Sequence, residues 1–476
     1  MTLHRREFLW KSGGGFGAIA LMDLLAREVQ SANSSNAISL EKRPHFPARA
    51  KRAIFFFMNG GPSHVDTFDP KPALEKYDGQ PYQGKLDVGS NEREVGYLTK
   101  SAFRFTQHGE SGLPISDLYP CVSQFADDLC VIRSMHCDAP GHGPGLLQMN
   151  SGSILLGHPS LGSWLTYGLG SMNESLPSFV VMNDHRGGTR AGAACWSGGY
   201  MPAVYQGTLF RGSGPPLLNL ENPPGLSAPR QRRGIDLLEV LNRQHLNDRD
   251  SDSELAARIK SYELAYRMQT SAVEAVDVDH ESAKTKEMYG LNDERSAYFG
   301  RQCLLTRRLL ERGVRFVQLY SGGGGGSDSW DAHSDCIANH KQHAGETDQP
   351  IAALMADLKR TGMWDDTLLI WGGEFGRTPT AQGARGRNHH ATGFSIWLAG
   401  GGFKQGYVHG ATDELGYQSV EEVVSVNDLH ATLLHALGLD HRRLLYPHQG
   451  RDDSLTDEPV TGASLVPDLL MDPAAT

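Results

Sequence analysis

Short apolar runs alternate along the chain with longer stretches in which apolar residues recur at helical spacing. This alternation predicts parallel β-strands connected by helices, because a strand that lies between two helical layers is apolar on both faces. Strands are predicted at 53–58, 129–134, 179–182, 314–320, 367–371 and 394–399. The predicted fold class is therefore α/β, with a largely parallel sheet and helices on both faces.

Helix ends are marked most clearly in the C-terminal half of the chain. Helices are predicted at 252–268, 294–312, 349–361 and 428–437. Each of the last three stops immediately before a glycine, and Asn427 is a suitable N-cap for the last one. The segment 187–234 is rich in Gly and Pro, and we expect it to form long loops rather than a separate domain.

The N-terminal residues predict export. Arg5 and Arg6 precede a mildly apolar, Gly-rich run at 13–25, and together they resemble a twin-arginine export signal. A basic amphipathic helix is the alternative. The run is too short for a membrane span, which needs about 20 apolar residues. We therefore expect a protein that acts in the periplasm or outside the cell, with no membrane span after removal of the signal. The expected segments are a signal with the start of a linker at 1–35, the rest of the linker at 36–52 and one domain at 53–470.

Charge and cysteine content narrow the range of partners. The 476 residues carry a formal net charge of -10, which argues against nucleic acid or an anionic membrane as the main partner. The six cysteines contain no C-x-x-C pair, so neither a zinc ribbon nor a thioredoxin-like motif is indicated. In an oxidising compartment, Cys121 is near enough in sequence to pair with Cys130 or Cys137.

Acids and histidines follow two of the predicted strands. Asp331 and His333 come after the fourth strand, and Glu374 comes after the fifth, followed by His389 and His390 within one loop. In an open α/β sheet, ligands bind beyond the carboxyl ends of the strands, so these side chains can converge in one crevice. The pattern indicates a hydrolytic site built around a metal.

A run of five glycines at 322–326 separates the fourth strand from Asp331. The run lacks the Gly-Lys-Ser/Thr ending of a P-loop and the spacing of a dinucleotide fingerprint. We therefore expect a flexible loop rather than a phosphate cradle.

Four motifs occur in order along the chain, namely NGGPSHVDTFDPK at 59–71, WDAH at 330–333, GEFGRTP at 373–379 and GRNHH at 386–390. Together they resemble the uncharacterised "domain of unknown function fifteen-oh-one" family of exported proteins. The resemblance covers nearly all of the chain after the predicted signal. It implies a fold of the alkaline phosphatase and sulfatase-like superfamily, in which residues at strand ends bind metal ions.

Three positions depart from the pattern of that superfamily. Asn59 stands where the first strand normally ends in aspartate, and Phe375 stands where a second metal ligand is usual. His142, ten positions before Gly152 (152 minus 142), stands where a sulfatase carries its Cys or Ser nucleophile. Maturation to formylglycine is therefore not expected.

The residues and the resemblance together indicate one set of candidate metal ligands. The set comprises Asn59, His64, Asp66, Asp331, His333, Glu374, His389 and His390. Adjacent residues of an extended segment point in opposite directions, so we expect only one of the two neighbouring histidines to bind metal. The N and O donors suit a divalent Zn, Ca, Mn or Fe ion. For Glu374 an N-cap role is the structural alternative.

Three further residues are candidates for the chemistry, namely His142, Arg377 and Arg387. Without formylglycine, the nucleophile is either water activated by a divalent ion or the imidazole of His142, which can form a phosphoryl intermediate. The two arginines flank Glu374 and the histidine pair, and a guanidinium suits phosphate or sulfate. Surface ion pairing is the alternative role for both arginines.

The expected function is hydrolysis of a phosphate or sulfate ester by an exported, metal-dependent protein. The substrate would be an anionic small molecule or a polysaccharide ester. The alternative is a degenerate, non-catalytic protein that binds a sulfated or phosphorylated polymer or a partner protein. Asn59, Phe375 and the missing nucleophile favour that alternative.

Overall fold

The computed structural model describes residues 42–84, 96–212, 216, 225–247, 266–268 and 275–471. The predicted export signal at 1–35 and the first part of the linker lie outside these residues. Of the predicted helix at 252–268, only 266–268 is described, and those three residues are helical. No helix in the described ranges is long and apolar enough to cross a bilayer.

Seventeen strands are present in the described chain. They are β1 Arg52–Met58, β2 Phe105–His108, β3 Leu113–Ser116, β4 Leu129–His136, β5 Phe179–Met182, β6 Thr208–Phe210, β7 Phe316–Ser321, β8 Thr367–Gly372, β9 Gly376–Gln382, β10 Gly386–His390, β11 Phe394–Gly400, β12 Tyr407–His409, β13 Ala411–Thr412, β14 Ser419–Glu421, β15 Val424–Ser425, β16 Tyr446–His448 and β17 Arg451–Asp453. The six predicted strands correspond to β1, β4, β5, β7, β8 and β11, so those predictions are confirmed.

Ten α-helices accompany the strands in the described ranges. They are α1 His64–Thr67, α2 Pro72–Lys76, α3 His142–Ser151, α4 Leu161–Leu169, α5 Ala228–Asn247, α6 Ala283–Met288, α7 Ala297–Glu311, α8 Cys336–Arg360, α9 Val426–Ala436 and α10 Glu458–Thr461. The helices predicted at 294–312 and 428–437 correspond to α7 and α9.

Nine of the strands form one central sheet in the order β12-β4-β11-β8-β1-β7-β5-β6, with β15 also paired to β4. β11 runs antiparallel to both of its neighbours, and every other pairing in this sheet is parallel. The largely parallel sheet predicted from the sequence is confirmed.

The central strands are buried on both faces. On β1, Ile54, Phe56 and Met58 belong to one apolar core, while Phe55 and Phe57 belong to the core on the opposite face. Helices α7 and α8 cover the first core, and α3, α4 and α9 cover the second. This two-sided burial explains why β1 is a continuous apolar run rather than an alternating one.

Helix α8 begins at Cys336, well before the start predicted at 349. Asp335 caps it, since its side chain accepts a hydrogen bond of 3.0 Å from the backbone N–H of Ala338. The first half is rich in polar residues and histidines, several of which are buried, so apolar periodicity alone missed it. The helix continues through Pro350.

The cysteines form no disulfide; all six are free thiols. Cys121 packs against the core on one face of the sheet, whereas Cys130 and Cys137 belong to the core on the other face. The expected pairing of Cys121 with either residue was therefore wrong, because the sheet separates them.

The carboxyl ends of β1, β7 and β8 lie side by side at one edge of the sheet. Met58 pairs with Ser321, and Phe57 pairs with Gly372. Gly60 follows β1 with φ of +114°, and a Cβ there would lie 2.5 Å from the backbone nitrogen of Asp331. Only glycine permits both this conformation and this close approach. The loop after β7 is thereby held against the loop after β1.

Candidate metal centre

Four side chains meet beyond this edge of the sheet. One ligand atom from each of His142, Asp331, His333 and His389 lies within 4.8 Å of the corresponding atoms of the other three. His142 is the first residue of α3, the next two follow β7, and His389 lies on β10. Three separate parts of the chain therefore build one cluster.

Asp331 Oδ1 lies at the middle of the cluster. The Nε2 atoms of the three histidines approach it to 3.0 Å from His142, 2.8 Å from His333 and 3.2 Å from His389. Asp331 and His142 are buried, whereas the side chains of His333 and His389 retain 33% and 20% exposure. The cluster is therefore closed on one side and open to solvent on the other.

The remaining nitrogen of each imidazole meets an oxygen. His142 Nδ1 lies 2.7 Å from Glu374 Oε1, and His389 Nδ1 lies 2.8 Å from the carbonyl oxygen of Pro140. His333 Nδ1 hydrogen-bonds the side-chain oxygen of Gln382. Because these oxygens accept, each Nδ1 carries the proton and each Nε2 presents a lone pair to the cluster.

These lone pairs require a cation among them. His333 Nε2 and His389 Nε2 are 2.9 Å apart, and both face the same carboxylate oxygen. His142 Nε2 is buried and, among the described residues, has no hydrogen-bond partner of acceptable geometry. Electron-rich atoms repel at such distances unless a proton or metal ion lies between them. The residues therefore fit a divalent ion, held by three Nε2 atoms and one carboxylate oxygen.

The protonation of the cluster agrees with this fit. Burial lowers the pKa of His389 to about 4, although the nearby carboxylate of Asp331 opposes the shift. Burial by itself would raise the pKa of Asp331, but the three facing imidazoles and the nearby Arg377 hold it well below its usual range. Neutral imidazole and ionised carboxylate are the forms that bind metal.

His142 behaves differently because two acids face it. Burial would lower its pKa, but the facing carboxylates of Asp331 and Glu374 outweigh burial and raise it. Positive charge is therefore favoured where Nε2 points, whether a proton or a metal ion supplies it.

Arg377 and Arg387 are saturated by the protein itself. Arg377 donates to Asp331 Oδ1 at 2.7 Å, to the carbonyl oxygen of Gly61 at 3.0 Å and to that of Gly60. Arg387 Nε lies 2.8 Å from Asp66 Oδ2, and its other groups donate to backbone carbonyls. Neither guanidinium is placed to receive a ligand from solvent.

Five of the predicted ligands lie outside the cluster, namely Asn59, His64, Asp66, His390 and Glu374. Asp66 pairs with Arg387 as described, and the amide of Asn59 donates to the carbonyl of Gly322 at 3.0 Å. His64 Nε2 donates to the carbonyl of Gly416, and its ring stacks on that of His390 at 5.8 Å. Burial lowers the pKa of His64 to about 3, so this imidazole is neutral. His390 points away from the cluster because side chains alternate along β10.

Glu374 is not one of the four clustered residues but contacts one of them, His142, on the side away from the other three. Both of its oxygens accept from the backbone N–H of Gly60, at 3.0 and 3.1 Å, and Oε1 also accepts from His142. The carboxylate therefore orients His142, as acids behind metal-ligating histidines commonly do.

Replacing Glu374 by Gln is expected to lower metal affinity about 10- to 100-fold, the usual cost of losing such an orienting acid. The amide nitrogen of Gln would face an N–H donor, that of His142 or that of Gly60, and could not accept its hydrogen bond. The amide oxygen is also a weaker acceptor than a carboxylate oxygen. A competition titration against a chelator measures the change. Glu311→Gln, on α7, is the control and should retain wild-type affinity; equal affinities for the two variants would contradict the orienting role.

Three groups of the site were not predicted from the sequence. Gln382 and the carbonyl of Pro140 orient two of the imidazoles, and Arg190 Nη2 donates to Asp331 Oδ2 at 2.8 Å. Arg190 lies within the Gly- and Pro-rich segment at 187–234. That composition predicts loops but does not indicate which residue of a loop reaches the site.

Comparison with known proteins identifies a family. Residues 50–469 match the family described as "Protein of unknown function (DUF1501)". No curated protein matches the chain.

Several solved structures match at low identity. The lipoteichoic acid synthase LtaP from Listeria monocytogenes is 10% identical with a TM-score of 0.37, covering 87% of this chain and 78% of that chain. A phosphonate monoester hydrolase from Silicibacter pomeroyi is 14% identical with a TM-score of 0.34, covering 88% and 77%. The alkaline phosphatase from the Antarctic bacterium TAB5 is 10% identical with a TM-score of 0.34, covering 83% and 99%. At these values the likenesses assign no activity.

Proposed function

This chain belongs to the family described as protein of unknown function (DUF1501), and we propose that it is an exported, metal-dependent hydrolase of phosphate or sulfate esters. One observation carries the proposal, namely the convergence of three imidazole Nε2 atoms on Asp331 Oδ1 at 2.8 to 3.2 Å. Partial exposure of His333 and His389 leaves one side of this centre accessible, as a catalytic metal site requires.

The donor set favours some metals over others. Three imidazole nitrogens and one carboxylate oxygen suit Zn, Mn or Fe, with Zn the commonest ion in such a set. Ca takes about six to eight oxygen ligands, which this cluster does not supply. Held by the three Nε2 atoms and Asp331 Oδ1, such an ion would supply Lewis acidity to an ester oxygen and to the attacking water.

The surrounding residues prepare the site for this chemistry. Glu374, Gln382 and the carbonyl of Pro140 orient the three imidazoles and hold their protons on Nδ1. Phe375 is buried against the site, with its ring centroid 5.0 Å from that of His142 and 4.8 Å from that of His389. Phe375 thus places an apolar ring where the superfamily usually has a second metal ligand. This substitution favours a site for one metal ion rather than two.

The position of His142 favours a ligand role over a nucleophilic one. Nδ1 is committed to Glu374, and Nε2 is directed at Asp331 Oδ1. A nucleophilic imidazole needs one ring nitrogen directed at the substrate. Water is therefore the proposed nucleophile.

The test begins with elemental analysis of the protein exported by its own signal, followed by a panel of aryl phosphate and aryl sulfate esters. We expect about one divalent ion per chain, loss of hydrolysis on chelation and recovery on adding Zn, Mn or Fe. A single turnover in heavy-oxygen water should place the label in the released phosphate or sulfate. A trapped phosphohistidine at His142 would contradict water as the nucleophile. A fully metallated protein that hydrolyses no ester would favour the non-catalytic alternative.

Export is tested separately at the paired arginines. Replacing Arg5 and Arg6 together by Lys should leave full-length protein in the cytoplasm, because the twin-arginine machinery recognises the pair and not positive charge alone. Cell fractionation measures the distribution. Arg27→Lys, which also conserves charge, should be exported normally. Normal export of the double variant would contradict the twin-arginine assignment.

A further inference from the structure

We propose that Arg190 is the residue that binds the phosphoryl or sulfuryl oxygens of the substrate. This inference rests on the proposed function, since it assigns the anion contact of the same site. It replaces the sequence-based assignment of that contact to Arg377 and Arg387.

Arg190 is joined to the cluster through the second oxygen of Asp331. Its Nη2 lies 2.8 Å from Oδ2, while the three imidazoles and Arg377 approach Oδ1. The carboxylate thus lies between the position for a metal ion and the guanidinium. A group that enters the open side of the cluster meets both positive centres.

Exposure separates Arg190 from the two arginines predicted from the sequence. The side chain of Arg190 is 48% exposed, whereas those of Arg377 and Arg387 are 0% and 4% exposed. Within the described residues, Arg190 makes one hydrogen bond, and its Nε and Nη1 donate to no protein atom. A guanidinium carries five N–H donors in a planar fork, so an edge remains for a ligand.

The glycine run after β7 leaves room for this guanidinium. A Cβ at Gly325 would lie 3.0 Å from Arg190 Nη2 and 3.1 Å from Nε. Gly325 has φ of -167°, an extended conformation that any residue adopts. A Cβ at this position would therefore require the guanidinium to move by a few tenths of an ångström, whereas the backbone conformation places no demand on the residue type. The two loops are also tied together, because the N–H of Gly324 donates to the carbonyl of Gly188 at 3.0 Å.

The geometry selects the class of ligand. Two parallel N–H donors of a guanidinium match two oxygens of a tetrahedral phosphoryl or sulfuryl group, and a flexible ammonium does not reproduce this match. The fixed contact with Asp331 lowers the freedom of Arg190 before the ligand arrives, which reduces the entropy lost on binding. Arg190 is therefore expected to govern substrate affinity more strongly than metal affinity.

The experiment measures binding of inorganic phosphate and inorganic sulfate to the metal-loaded full chain by calorimetry. Arg190→Gln should weaken anion binding by on the order of tenfold to a hundredfold, the usual effect of losing a charged hydrogen bond. Arg190→Lys should bind with intermediate affinity. Arg360→Gln is the matched control, because Arg360 is also an exposed guanidinium 2.8 Å from a buried carboxylate, that of Asp357, and it should bind as the wild type does.

Metal content and a second variant make the outcome decisive. Gly325→Ala keeps Arg190 and every metal ligand but should move the guanidinium by a few tenths of an ångström, and this shift should weaken anion binding with metal content unchanged. If Arg190→Gln loses metal, the Gly325→Ala result decides. The proposal would be overturned if Gly325→Ala leaves anion affinity unchanged and Arg190→Gln either leaves it unchanged as well or loses metal. A metal-loaded wild type that binds neither anion would also overturn it. Anion binding that depends on Arg190 without any ester hydrolysis would contradict the proposed function and leave this inference standing.

Discussion

Replacing Asp331 by Asn is expected to abolish stable metal binding and, with it, ester hydrolysis. The amide has the size of the carboxylate but lacks the charge on which three imidazoles and two guanidinium groups converge. Loss of an orienting group behind the ligands costs about 10- to 100-fold in metal affinity, and loss of a ligand should cost more than that. Elemental analysis after dialysis and a chelator competition measure the effect.

Asp335→Asn provides the control for that variant. Asp335 lies four residues further along the same segment and caps α8, and Asn is an equally good N-cap. This protein should bind metal as the wild type does. Stoichiometric metal in Asp331→Asn after dialysis would show that the ion binds elsewhere.

Replacing Arg377 by Met is expected to destabilise the fold by about 3 to 5 kcal/mol, the usual cost of removing one partner from a buried ion pair. The guanidinium is fully buried and donates to Asp331 and to the carbonyls of Gly60 and Gly61. Its loss leaves those acceptors buried without this donor. The measurement is the denaturation midpoint of the metal-free protein, so that metal binding does not contribute to the difference.

Arg385→Met is the control for the buried arginine. Arg385 is largely exposed and pairs loosely with Asp335, at 3.4 Å, so its replacement should change stability by less than about 0.5 kcal/mol. Equal midpoints for the two variants would show that Arg377 does not hold the loops after β1 and β7 together.

The sheet was predictable because burial on both faces leaves a local pattern. β1, β5, β7, β8 and β11 are predominantly apolar and almost entirely buried, and the structure places each within two residues of its predicted limits. Helices α7 and α9 end near glycines that stop a helix wherever they occur. The first half of α8 was not predicted because its buried face includes histidines and other polar residues. A search for apolar residues at helical spacing does not detect such a face.

The candidate site was predictable in part. Asp331, His333 and His389 were proposed as ligands, and the structure brings them together. The sequence predicted that only one of His389 and His390 binds metal but did not identify which one. His142 joins the same cluster as a ligand candidate, although the sequence analysis placed it among the candidates for the chemistry, with water as the alternative nucleophile. These ligand assignments stay predictions until metal binding is measured.

The residues that orient and contact the cluster are brought to it by pairs that lie far apart in the sequence. Arg190 and Asp331 are 141 positions apart in the chain, and His142 and Glu374 are 232 positions apart. No periodicity links such pairs. Conversely, Arg377 and Arg387 lie beside the right motifs but are saturated by backbone carbonyls and acids inside the protein.

The α/β fold class, the parallel sheet and the edge of the sheet at which the candidate site lies could all be predicted from the sequence. These follow from apolar burial and helix termination, which are properties of short segments. The imidazoles that converge, the acid that lies behind them and the arginine that remains exposed were visible only in the folded chain. Those outcomes depend on the paths of loops, set by features such as the positive φ of Gly60 and the alternation of side chains on β10. A side chain's function in this site depends on its direction and its partners, and both are fixed by residues far away in the chain.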